Sequence, residues 1–312
     1  MPEPTGSMHL YLSDVSPKDK PWDKHRKDAS AVQALYRGSE FQRYADRIHE
    51  CSQRLLFAFQ ANDSGEFEAR LKQARFCRVP RCPVCQWRRT LKWRAKFFRA
   101  VPKVKEAYPS ARWMLLTLTV KNCPVEELRV TLGQMNKAWE RMSKRKQFPA
   151  IGFVKSTEVT RGKDGWAHPH FHCLLLASGT YFSGKKYVTQ AQWSELWKHA
   201  LRIDYTPVVD VRAVKPRQGG EGDPVAIGIL ETLKYTVKQA DLVHDAAWLH
   251  EITRQLHKTR AVSVGGVLRD FIDDNDRDED LINIDEENVE PESTGFEVLF
   301  GWREFYGRYV KE

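Results

Sequence analysis

The chain has 312 residues, 41% of them apolar, enough for a sizeable core and roughly two domains' worth of polypeptide. No apolar run approaches the ~20 residues of a membrane span, and the opening MPEPTGSMHLYLSD lacks a charged segment followed by an apolar one. A cytoplasmic protein with no membrane partner is therefore expected. The net charge of +9 hides an asymmetry: residues 273–292 carry eleven acidic residues and one arginine, a net of −10, which leaves +19 on the rest. A body that basic, with ten tryptophans, points to a nucleic-acid partner over a merely soluble basic protein.

Residues 1–30 are polar and rich in Pro, Lys and Asp, and are expected to form a disordered N-terminal arm. Residues 31–60 read as helical, with Val32, Leu35, Tyr36, Phe41 and Tyr44 loosely periodic. Next comes a cysteine knuckle. Cys82 and Cys85 have the C-x-x-C spacing that lets two thiolates bind one tetrahedral zinc ion; Cys77 stands five residues earlier, and Cys51 could complete the set. All four positions would then be closed by protein, so the Zn²⁺ would be structural. A redox pair is the other reading. Cys123 and Cys173 stand apart as lone thiols. The following stretch, residues 86–99, interleaves aromatic and basic residues. Arg88, Arg89, Lys92 and Arg94 are candidates for phosphate contacts, with Trp87, Leu91 and Phe98 packing on the core.

Arg112–Val120 is a buried strand with Thr117 and Thr119 on one face. Pro124 opens a helix to about Arg145, in which Val125, Leu128, Leu132, Met135, Trp139 and Met142 recur at helical spacing. Ala150–Thr160 and Ala167–Ala177 are two strands joined by the turn Arg161–Gly165, hence a hairpin. On the second strand His168, His170 and His172 alternate and so share a face, where they can converge on one divalent cation. Hydrogen-bonded structural histidines are the bland alternative. Counting outward from the turn, Glu158 falls opposite the histidines and could add a carboxylate ligand. Thr189 is a candidate cap for a helix to Leu201, and Pro207–Val214 is a further strand, followed by a Gly-rich loop at 218–222.

Residues 225–238 read as one helix that puts Glu231 and Tyr235 four apart on one face, with Lys238 three further on. Tyr235 lies between Lys234 and Lys238, in a positive field that favours a phenolate and a bound phosphate. A helix over 245–259, a last strand at 260–264, the acidic stretch and an aromatic tail complete the chain. The expected division is an arm (1–30), a helical region with the zinc knuckle (31–106), a catalytic domain (107–268), an acidic linker (269–295) and a tail (296–312).

Taken in order, three of these segments resemble the motifs of the HUH endonucleases, specifically the replication initiator (Rep) proteins of rolling-circle plasmids. Leu115–Thr119 is similar to the family's first motif, His168–His172 to its His-hydrophobic-His motif, and Lys234–Lys238 to its Tyr-x-x-Lys motif. The Cys-Pro-x-Cys-x-Trp-Arg-Arg stretch resembles the plasmid branch. The likeness covers roughly residues 45–265. It implies an α+β fold: a central antiparallel sheet flanked by helices, related to the ferredoxin-like arrangement.

The resemblance further implies that His170 and His172 bind Mg²⁺ or Mn²⁺ with a third ligand, for which Glu158 is favoured over His168, and that Tyr235 is the nucleophile. Tyr235 would cut one strand at an origin hairpin or single-stranded site, keeping the 5′ phosphate and freeing a 3′-OH. Lys238 would position the phosphate. Glu231, a turn before the tyrosine, suits a general base that activates water for termination. Lys234 joins the DNA contacts, and host helicase and polymerase are further expected partners. A transposase or relaxase of the same chemistry, and a non-enzymatic zinc-dependent DNA-binding protein, are the rival readings.

Overall fold

The computed structural model describes residues 9–61, 65, 67–182, 187–214, 224–233, 237–272, 281–282 and 295–312. The Gly-rich loop and most of the acidic stretch lie outside the described residues, as do Lys234 and Tyr235. Residues up to 92 and those beyond 276 form one compact unit, and residues 93–276 another.

The chain starts with a short helix α1 (Leu12–Val15) and then α2 (Pro21–Tyr36). The expected disordered arm thus already contains helix from Leu12. Pro21 sits at a helix N-terminus, where its missing N–H costs nothing. Trp22, Ala29, Val32 and Tyr36 follow at spacings that bury one face. Arg26 is also buried, but its guanidinium donates to the carbonyls of Ile48 (3.1 Å) and His49 (3.2 Å) at the end of α3 (Gln42–His49). The helical expectation for 31–60 ends there. Arg54–Ala61 is a strand, β1, because Leu55, Phe57 and Phe59 alternate inward, and it pairs with β2 (Phe67–Ala74). Next comes α4 (Pro83–Ala107), in which Trp93 and Phe97 are buried and Phe98, expected in the core, is exposed.

The second unit is built on β3 (Arg112–Thr119), α5 (Leu128–Ser143), β4 (Ala150–Arg161), β5 (Ala167–Ala177), α6 (Gln190–Leu201), β6 (Val209–Ala213), α7 (Pro224–Thr232), α8 (Gln239–Leu242), α9 (Ala246–Gln255) and β7 (Val262–Gly266). Its five strands form one antiparallel sheet in the order β6-β3-β5-β4-β7. Along β5, even-numbered residues face one way. At one end these are Leu174 and Leu176, which pack with Trp113, Val154, Phe97 and Val104 and with Ile229 of α7. Gly228 lets α7 come close: a Cβ there would stand 3.2 Å from Leu174. At the other end the same face turns polar, with His172 and His170. Helices α5 and α6 cover the opposite face, where Phe171 meets Trp197 (6.3 Å) and Phe153 meets Trp139 (4.9 Å). Thr189, the candidate cap, caps α6 and forms a capping box with Gln192 (3.3 and 2.8 Å).

The helix expected over 225–238 stops at Thr232, so Lys238 is not on the helix that carries Glu231. The chain turns instead toward β4. The Ser156 hydroxyl donates to the Thr232 carbonyl, and Val237 forms a parallel bridge with Val159.

Lys155 of β4 is buried on the α5 side, 3.0 Å from the Asn136 side-chain oxygen and 3.8 Å from the Phe171 ring centre. Burial draws its pKa from 10.5 down to about 8. Because the folded value is depressed, the stability cost is full below about pH 8 and fades as pH rises toward 10.5. A shift of this size corresponds to about 3 kcal/mol. After allowing for the lost Asn136 bond, Lys155→Met is expected to raise the unfolding free energy by about 2 kcal/mol at neutral pH. The gain should be far smaller in alkali. Urea titrations at the two pH values check this; an equal gain at both would mean the lysine is not desolvated.

The C-terminal residues return to the first unit. Strands β8 (Phe296–Arg303) and β9 (Arg308–Lys311) complete a sheet in the order β2-β1-β8-β9. The aromatic tail is therefore structural there, with Phe300 and Tyr309 fully buried. The fold class is α+β with two antiparallel sheets, and the expected helical knuckle region contributes two strands, β1 and β2, to one of them. Among the described residues no helix is long and apolar enough to cross a membrane.

Candidate metal centres

The hairpin of β4 and β5 positions the first cluster. Its register sets Glu158 directly opposite His170, and Ser156 opposite His172. On the other side of β5, Thr119 and Thr117 of β3 oppose the same two histidines, and Asp210 of β6 opposes Thr117. Two polar rows thus cross the sheet. Glu158 is 4% exposed and His170 8%, while His172, Thr117, Thr119 and Asp210 are half-buried, so the cluster is sunk in a face that still reaches solvent.

Within it, Glu158 Oε2 lies 2.8 Å from His172 Nε2 and 3.1 Å from His170 Nε2. The other ring nitrogens are also engaged: His170 Nδ1 is 3.2 Å from the His168 carbonyl and His172 Nδ1 is 3.3 Å from the Thr117 hydroxyl. A proton on Nδ1 donated to these oxygens leaves the Nε2 lone pairs aimed at the carboxylate, the arrangement of metal-ligating histidines. Burial raises the Glu158 carboxyl; where the His170 and His172 Nε2 atoms carry protons instead, their hydrogen bonds outweigh burial and hold the group well below the usual carboxylate range. It is an anion at any working pH. Adjacent positions of an octahedron with bonds of about 2.1 Å are about 3 Å apart. The observed separations fit a two-histidine, one-carboxylate face that leaves other positions open.

The structure brings together Glu158, His170 and His172, and leaves His168 aside. Its Nδ1 is held 2.7 Å from the Asn122 side-chain oxygen, and Asn122 in turn donates to Asp164 (3.0 Å). Burial, and then the charge of His170, pull the His168 pKa down. Thr117, named from sequence only as a face of its strand, orients His172, and Asn122, which was not singled out from sequence, holds His168. Glu231 sits on α7, half-buried. Its charge reaches Arg212, whose guanidinium is held up first by Asp210 at 2.7 Å and more weakly by Glu231. Lys238 is exposed at the start of α8.

The second cluster belongs to the other unit. Cys51, Cys77, Cys82 and Cys85 are buried with sulfur–sulfur distances of 3.6 Å (77–85), 3.7 Å (51–85) and 3.8 Å (51–82). A tetrahedral zinc ion with Zn–S bonds of about 2.3 Å requires edges of about 3.8 Å. Backbone N–H groups of Cys77, Arg78 and Val79 donate to the sulfurs of Cys51, Cys85 and Cys77 at 3.3–3.4 Å. Arg78 takes a left-handed conformation (φ 57°) to aim them. Burial pushes the Cys82 thiol up, while hydrogen bonds from Cys51, Cys77 and Cys82 draw Cys85 down. Four buried sulfurs cannot all ionise without a cation between them, so this donor set fits zinc.

Of the basic residues expected to meet phosphate, Arg88 does not face solvent. It is buried, donates to the carbonyls of Leu281 (2.8 Å) and Ile282 (2.9 Å), and stacks over Trp22 and Trp87. Arg94 donates to the Leu233 carbonyl (3.4 Å) and Arg89 to that of Arg78 (3.2 Å). Lys92 is half-buried.

Residues 68–310 match a family described as "Replication protein". A "Protein rep" of Lentilactobacillus hilgardii is 32% identical over 305 residues, covering 93% of this chain and 95% of the relative. A "Protein rep" of Streptococcus pneumoniae is 35% identical over 232 residues, covering 72% and 70%. A "Replication protein" of Staphylococcus aureus is 34% identical over 230 residues, 69% of this chain and 97% of the relative. No solved structure matches the chain.

Proposed function

The chain belongs to the replication protein family, and from that premise we propose that it initiates rolling-circle replication of a plasmid by nicking one strand at the origin. The observation that carries this reading is the convergence of Glu158, His170 and His172 on one face of the sheet. Those three residues would hold Mg²⁺ or Mn²⁺. A bound divalent cation there supplies charge neutralisation at the scissile phosphate.

Tyr235 is the nucleophile. Its phenolate oxygen bonds to phosphorus, the P–O3′ bond breaks, and the departing oxygen takes a proton to become the 3′-OH that primes synthesis. The protein keeps the 5′ phosphate. Support for Tyr235 comes from its flanks: the Thr232 carbonyl accepts from Ser156, and Val237 bridges Val159, next to Glu158. Lys238, with Lys234, positions the phosphate. Glu231 takes a proton from water when the phosphotyrosine is hydrolysed at termination. The Cys₄ zinc site is structural, and the basic surface holds single-stranded or hairpin DNA.

Purified protein incubated with labelled strands spanning the plasmid's origin and Mn²⁺ is expected to yield a peptide containing Tyr235 linked to DNA, read by denaturing gel and mass mapping. Tyr235→Phe should abolish the adduct, and its persistence would mean another nucleophile. Tight binding with no cleavage would favour a binding protein over an enzyme. Glu231→Ala is expected to leave nicking within a few-fold of wild type while slowing termination by about a hundredfold. Equal loss of both steps would remove Glu231 from the water-activating role.

A further inference from the structure

Strand β4 carries a second feature on the face away from Glu158. Lys155 and Thr157 alternate with Ser156 and Glu158, so they leave the sheet on the α5 side. There they line a cavity of about 480 Å³ between α5, β4 and β7. Lys155 forms its floor, 6% exposed, with the Asn136 oxygen and the Phe171 ring as its neighbours and no carboxylate partner among the described residues. Three arginines, Arg129, Arg260 and Arg269, stand at the rim. Arg129 is anchored through backbone carbonyls of Arg254 (3.0 Å) and His257 (2.8 Å), and Arg269 through that of Val264 (3.0 Å). These bonds orient the Arg129 and Arg269 guanidinium groups without neutralising them. Thr157 and Ser263 add hydroxyl donors, and among the described residues no acidic side chain lines the space.

Such a cavity disfavours cations. A buried ammonium without a counter-ion is costly, and an anion seated on it would recover that cost. Guanidinium groups around it match the tetrahedral oxygens of phosphate and make charge-assisted bonds. We propose that this cavity is a phosphate-binding site, distinct from the histidine face, with Lys155 at its base and Arg129, Arg260 and Arg269 around its mouth. The phosphate group is carried either by a free nucleotide, which the volume admits, or by the backbone of a bound DNA strand.

Isothermal titration at neutral pH with three probes, inorganic phosphate, ATP and a short oligothymidylate, separates these sources. Two variants test the site. Lys155→Met removes the floor charge. Gly133→Leu fills the space from α5: Gly133 lines the cavity, nothing lies within 4 Å of where its Cβ would be, and leucine favours the helix, so this variant keeps its fold. The expected result is wild-type binding of at least one probe and a loss of about tenfold or more in both variants. Loss confined to phosphate and ATP supports a free nucleotide; loss confined to oligothymidylate supports the DNA backbone. No binding of any probe, or wild-type affinity for all of them in both variants, overturns the proposal.

Discussion

Chelating the zinc that the four-cysteine cluster would hold, or replacing Cys82 with serine, is expected to unfold the unit built on the β2-β1-β8-β9 sheet. The cluster draws ligands from three places: the end of α3, the loop after β2 and the start of α4. The backbone between them takes positive φ at Ser52 (50°) and Arg78 (57°) and is held by the sulfurs and by Tyr309, whose hydroxyl donates to the Ser52 carbonyl (2.7 Å). Structural zinc in finger peptides contributes on the order of 10–16 kcal/mol, as much as the whole net stability of a typical domain. Purified protein should therefore contain one zinc per chain by atomic emission. Chelation should abolish the cooperative melt of this unit, read by the fluorescence of Trp22, which is 1% exposed and stacked edge-on against Trp87 (4.8 Å). A Cys82→Ser protein with wild-type melting would show that the thiols are packed for another reason.

Glu158→Gln is the second large effect. Glutamine keeps the shape, removes the charge and turns an N–H₂ donor toward two imidazole nitrogens that now face a carboxylate at 2.8 and 3.1 Å. Cation affinity should fall steeply, and nicking of a labelled origin strand should drop by about a thousandfold at fixed Mn²⁺, equivalent to about 4 kcal/mol of barrier. His172→Ala should behave alike. His168→Ala should cost little, because Asn122 holds that ring outside the cluster. The cleavage rate against Mn²⁺ concentration decides the matter. If His168→Ala is inactive while Glu158→Gln cleaves normally, His168 and not Glu158 is the third ligand.

What the chain encodes locally could be read without a structure. Cys82 and Cys85 are tied by short-range spacing. The turn at Arg161–Gly165 sets the register of its two strands, so counting from it reaches Glu158 opposite His170. The alternation of His168, His170 and His172 follows from the two-residue period of a strand. None of these requires knowledge of a distant partner.

Tertiary structure decided the rest, wherever a residue's role depends on what lies far along the chain. Leu55, Phe57 and Phe59 alternate as a strand, but their partners Phe300, Val298 and Phe296 arrive from the other end of the sequence to complete the sheet. Arg88 carries the same charge whether it meets phosphate or the carbonyls of Leu281 and Ile282, and only the fold chose the latter. The helix carrying Glu231 ends at Thr232 because Ser156 and Val159 of β4 offer its backbone other partners. His168 shares a face with the other histidines, yet Asn122, 46 residues before it, takes its ring nitrogen. Backbone periodicity is a local steric property and survives in the sequence. Which buried polar atom satisfies which other is settled only when the chain closes on itself.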